Sequence, residues 1–178
     1  MFSPGQIVVY PAQGVGVIES IETQELGGVS AEFYTVHIIS TKINVLVPVK
    51  SAANAGLRGL CTQDEAKNTL EYLKDYQHTH VHAGQNWNRR QREYTERLKE
   101  GTLKTVGGVL KELILISAQK ELSFGEKRLL EQAMNLVAGE LAYVLDKEEG
   151  EIRNIIHAFY NDLFPDSNAT LPSSRRQS

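Results

Sequence analysis

The segment Asn86-Trp87-Asn88-Arg89-Arg90-Gln91-Arg92 brings together residue types that can grip a nucleic-acid backbone: guanidinium forks that match phosphate oxygens, and one flat aromatic ring. Trp87 is the only tryptophan of the chain. Between Asn86 and Lys104 six basic side chains stand against three acidic ones, so the stretch is locally positive. Asn86 is a capping residue type ahead of a helical period, which places the arginines at a helix N-terminus, where unpaired amides and the positive dipole end favour anions. An indole beside them can wedge against a base step. The competing reading is a buried one. Trp87, Gln91, Tyr94 and Leu98 recur at steps of four, three and four, so the indole can begin a core stripe, and spacing alone favours that. The arginines would then form a solvated face balanced by Glu93 and Glu96.

Other constellations are weaker. His78, His80 and His82 alternate and could share a metal, but no cysteine or matched carboxylate cluster accompanies them, so a polar connection is preferred. Tyr10, Phe33 and Tyr34 could cage a methylated amine, although core aromatics are the preferred reading. Gly14-Val15-Gly16 is too short for a phosphate-binding fingerprint, and no GxSxG, HExxH or spaced Ser, His and Asp set occurs. The chain is therefore expected to act without catalysis, cofactor or metal. Its single cysteine, Cys61, rules out an internal disulfide and a thiolate zinc cage and reads as a core thiol.

The elements that must position these residues change character near Arg58. The 178 residues, 41% of them hydrophobic, are enough for one large domain or two small ones. Nineteen Lys and Arg against 22 Asp and Glu leave a formal charge of −3, so any nucleic-acid contact must be local. No apolar run approaches the roughly 20 residues of a membrane span, and Met1 to Gly5 lacks a signal-peptide start, so a soluble, cytoplasmic protein is expected. Up to Arg58, short runs rich in Val, Ile and Tyr, with Gly27-Gly28 as a hairpin turn, predict four or five strands of a small barrel. In the last of them Ile43, Val45, Val47 and Val49 share one face, Asn44, Leu46, Pro48 and Lys50 the other, and Pro48 argues for an edge. From Thr62 the period is helical. Thr62, Asn86, Thr102 and Ser123 are predicted N-caps, Gly101 a stop, and Leu130, Met134, Val137, Leu141 and Val144 a buried stripe. The fold class is α+β, a β half followed by an all-α half.

Six patterns in register then carry a resemblance. Gly5-x-x-Val8-Val9-Tyr10-Pro11-x-x-Gly14-Val15-Gly16, Phe33-Tyr34, Val47-Pro48, Asn54-x-Gly56-Leu57-Arg58, Asn86-Trp87-Asn88-Arg89-Arg90 and Leu122-Ser123-Phe124-Gly125-Glu126-Lys127-Arg128 together resemble the CarD/CdnL family of bacterial transcription regulators. The likeness is to the CdnL branch, without the longer CarD tail. It implies a Tudor/SH3-like domain over residues 1–58 that binds the RNA polymerase β subunit, a helical promoter-DNA domain of about five helices over 59–164, and a disordered tail over 165–178. It also implies that Trp87 meets the minor groove at the upstream edge of the melted −10 region. Arg89 and Arg90 would contact phosphates, with Arg92 and Lys127 beside them, and Leu46 and Pro48 would meet the polymerase. This reverses the preference for a core tryptophan.

The expected protein is a monomeric regulator, nucleoid-associated through the polymerase, that stabilises the open complex. A protein adaptor without DNA contact and a Tudor-type methylated-amine reader are the alternatives. Two departures modify the expectation. Gln24 and Leu46 stand where mycobacterial relatives carry arginines, predicting a less ionic polymerase contact, and Gly107-Gly108 predicts a kink in the third helix.

Overall fold

The alternating β-branched runs before Arg58 form four strands: β1 (Ile7–Tyr10), β2 (Gly14–Leu26), β3 (Val29–Ile38) and β4 (Ile43–Pro48). A computed structural model, which describes residues 1–81, 84 and 86–164, joins them as one curled antiparallel sheet in the order β1-β2-β3-β4, a half-barrel. His82 and the 165–178 tail lie outside the described residues. Gly27 and Gly28 both have positive φ, 60° and 81°, which the tight turn between the paired Leu26 and Val29 requires. The inward period of two collects Val8, Ile18, Tyr34, Val36, Ile38 and Val47 into one apolar cluster. β4 is an edge strand, as Pro48 predicts.

The helical half comprises α1 (Gln63–Lys74), α2 (Trp87–Glu100), α3 (Leu103–Gln119), α4 (Phe124–Leu145) and α5 (Glu149–Phe159). Each of the four predicted caps forms: the side chains of Thr62, Asn86, Thr102 and Ser123 accept backbone N–H bonds, and Thr62 and Ser123 make full capping boxes with Glu65 and Glu126. Gly101 ends α2 in the left-handed region. α3 is the central helix, with Val109, Leu110, Leu113 and Ile114 fully buried. It is one continuous helix through Gly107-Gly108. A Cβ at 107 would lie 3.6 Å from Thr69 of α1, and one at 108 would run into the Arg97 guanidinium of α2. The contact at 107 is an ordinary one and glycine at 108 leaves room for the Arg97 side chain, while each glycine costs roughly 1 kcal/mol in helix propensity relative to alanine.

Two buried charges help to set this core. Lys111, 2% exposed, donates to the carbonyls of Tyr72 (2.9 Å) and Asp75 at the end of α1, with the Tyr72 ring centroid 4.2 Å away. The ammonium thus serves the carbonyl end of a helix, although burial draws its pKa below the ordinary lysine value. The second, Glu140 of α4, clasps the two halves. Its carboxylate takes both Arg58 guanidinium arms, at 2.7 and 2.8 Å, and accepts the Cys61 N–H at 2.9 Å. Arg58 also donates to the Gly101 carbonyl and exchanges two backbone bonds with Val9 of β1. One residue is therefore both a rung of the sheet and a side chain inside the helical body. Burial, reinforced by Glu140, pushes the Cys61 thiol up to about 12, so it is protonated at neutral pH.

Candidate nucleic-acid interface

Trp87 opens α2, just after its cap, where the Asn86 side chain accepts the Asn88 N–H at 3.0 Å and no acidic residue occupies the first turn. The indole is partly buried against the helical core. Its seat is Gly125, the second residue of α4, where a Cβ would come within 2.8 Å of the ring. The first turns of α2 and α4 are thus in contact, and two positive helix ends meet at one surface. Glycine at 125 is a spatial requirement, since any side chain there would lift the ring.

The stripe beneath the tryptophan differs from the predicted one. Gln91 is exposed; Arg90, Tyr94 and Leu98 carry the buried face instead, at 5%, 2% and 2% exposure. Arg90, expected at a phosphate, is therefore not a surface cation in this conformation. Its guanidinium is paired with the carboxylate of Glu126, which is itself 1% exposed, and its Cζ lies 5.6 Å from the Trp87 ring centroid. Glu126 also accepts the Lys120 ammonium at 2.8 and 2.9 Å and the Ser123 N–H at 2.8 Å. Desolvation opposes the charged carboxylate, but the Lys120 and Ser123 bonds prevail and hold its pKa below the ordinary carboxylate value. Arg90 thus braces the wall behind the indole.

Arg89 and Arg92 are exposed on α2 and make no ion pair with any described residue. Lys127, one turn into α4, is half-exposed and pairs with the exposed Glu121 at 3.1 Å, a surface contact worth only a few tenths of a kcal/mol to about 1. The first turns of α2 and α4 therefore present a seated indole, with Arg89 and Arg92 exposed on α2 and Lys127 half-exposed on α4. In the sheet, Leu46 is 48% exposed and Pro48 is exposed, on the outward face of β4 opposite Thr35 and Phe33. Val45 and Val47 point to the core. Gln24 lies far along β2, paired with Ala31.

The cage of Tyr10, Phe33 and Tyr34 does not form. Tyr34 is 1% exposed and its hydroxyl accepts the Phe2 N–H at 3.0 Å, which turns the ring into the core. Among the described residues no group of three His, Cys, Asp or Glu side chains could hold a metal, and no helix is long and apolar enough to cross a membrane.

A Tudor-like sheet clasped to this helical body is the architecture of a transcription-associated regulator that interacts with RNA polymerase. Residues 2–61 match the CarD-like/TRCF RID domain and residues 68–157 the CarD C-terminal domain, and the chain belongs to the CarD/CdnL family. It is similar to the Bacillus subtilis (strain 168) protein named "Putative transcription factor YdeB", with 24% identity over 154 residues that cover 86% of this chain and 99% of that one.

Proposed function

We propose that the protein docks on the polymerase β subunit through the β4 edge and sets Trp87 against promoter DNA at the upstream edge of the bubble, stabilising the open complex without catalysis. The observation that carries this reading is the seating of the indole: a ring held from behind by Gly125 and the Arg90–Glu126 pair loses little freedom on contact, and Arg89 and Arg92, exposed on the same helix, are available to phosphates. The two-fold exposure of β4 supports the other half. Its unpaired backbone edge can extend a partner sheet, while Leu46 and Pro48 supply apolar side-chain contacts.

The formal charge of −3 fits this division of labour. A weakly basic face binds free DNA poorly, and docking on polymerase raises its local concentration at promoters. Whatever Trp87 contributes only to melted DNA shifts closed toward open complex by that difference.

Trp87→Ala is expected to leave capture by the β subunit intact and to shorten open-complex lifetime about ten- to a hundredfold, the range for one base–aromatic contact. Filter-binding lifetimes on a promoter with an unstable bubble measure this, and an unchanged lifetime refutes the DNA contact. Leu46→Glu is expected to weaken capture of the isolated β lobe at least tenfold while the melting temperature stays constant, because the side chain is half-exposed. Full capture would move the docking surface elsewhere.

A further inference from the structure

β2 carries a bulge that decides the charge of the sheet's outer face. Ile18 pairs with the buried Val36 and Ile21 with the buried Tyr34, so both stand on the core side although their spacing is odd, which strict alternation forbids. The register shift between Ile18 and Ser20 absorbs the extra residue, Glu19, and resets the phase. Without it Glu22 would face the core. With it Glu22 stands opposite Phe33, which in turn pairs with Pro48 of β4. Glu19 is held toward the same side: its carboxylate accepts the Asn44 amide at 2.7 Å, and Asn44 alternates with Leu46 on the outward face of β4. The Glu22 carboxylate accepts the Ser20 hydroxyl, also at 2.7 Å.

Neither carboxylate pairs with a lysine or arginine among the described residues. The ion-pair contact that is present joins Glu19 to His37 Nδ1, at 3.7 Å, and is charged only when the imidazole is protonated. The four strands contain Glu19, Glu22, Glu25 and Glu32 and no lysine or arginine at all. A carboxylate offers about four acceptor positions, so one amide or one hydroxyl leaves each group free to take a further donor. We propose that Glu19 and Glu22 form the polar rim of the polymerase-docking surface, and that the β subunit meets them with lysine or arginine side chains beside the apolar contacts of Leu46 and Pro48. This rests on the β4 docking reading and gives the partner surface its sign. Carboxylates already held by Asn44 and Ser20 lose little freedom on contact, and charges at a rim act chiefly by steering the encounter.

The test follows binding of the full chain to RNA polymerase without DNA, at low and at high salt. The double variant Glu19→Gln, Glu22→Gln is expected to bind about three- to tenfold more weakly at low salt, mostly through slower association, and to match the parent at high salt, where exposed charges are screened. Glu22→Lys is expected to lose more than Glu22→Gln. Melting temperatures are expected to stay constant, since both side chains are exposed. Parent-like binding and salt dependence for these variants, beside a loss for Leu46→Glu, overturn the inference and leave docking through β4 standing. Tighter binding by the double glutamine variant overturns it by showing an acidic partner surface, and a loss that persists at high salt overturns it by removing charge as the cause. Parent-like binding for Leu46→Glu as well overturns the docking reading itself.

Discussion

Replacing Glu126 by Gln is expected to lower the unfolding free energy by about 3 kcal/mol, because it withdraws the negative partner from two cations at a site that is 1% exposed. Glu126 accepts from Arg90 and Lys120, and a glutamine keeps an oxygen able to close the capping box of α4, so the substitution weakens chiefly the charged brace between α2 and α4. Urea unfolding of the two proteins measures the difference, and a loss below about 1 kcal/mol would mean that the pair contributes no more than a surface bridge. The same carboxylate predicts a pH signature. Its pKa is depressed in the folded state, so its contribution is complete above the ordinary carboxylate range and is lost as pH falls through and below about 4. The parent protein is expected to lose stability more steeply on acidification than Glu126→Gln, which has no such group to titrate. Equal slopes would refute the assignment.

The second large effect belongs to the clasp. Glu140→Gln is expected to cost about 2 kcal/mol, less than a fully buried pair because the Arg58 side chain is 28% exposed. Two local readouts separate this from general loosening. The Cys61 amide, which donates to Glu140, is expected to exchange faster with solvent. The Cys61 thiol is expected to react faster with an alkylating reagent, since the Glu140 carboxylate is one of the groups that raise its pKa, although burial remains the larger cause. Unaltered exchange and alkylation at Cys61 would show that the sheet and helices are held by other contacts.

Local chemistry was legible in the sequence and non-local pairing was not. Caps at Thr62, Asn86, Thr102 and Ser123, the alternation of β4 and the edge position of Pro48 all depend on neighbours within a few residues, and each was predicted and is present. The stripe under Trp87 was displaced by one position because a buried face through Arg90 requires a carboxylate 36 residues away, and a helical period alone disfavours placing an arginine inside. The same separation hid Arg58 and Glu140, 82 residues apart. One signal was available: Glu140 interrupts the apolar run Val137 to Ala142, and a lone carboxylate in such a run implies a cation brought to it. The room that Gly108 leaves for the Arg97 side chain depends on another helix and is likewise invisible to local reading. The polymerase and DNA roles came from family resemblance, as no spacing of residues encodes a partner.

Arg58 has a mechanical consequence. Its backbone pairs with β1 and its side chain with α4, so Arg58 ties the sheet that carries the outer strand to the helical body that carries the indole. On the proposed reading the protein is then a calliper with a single opening: polymerase fixes one jaw, and only a duplex that parts at the matching place meets the other. Promoters would be sorted by where melting begins, not by the bases found there.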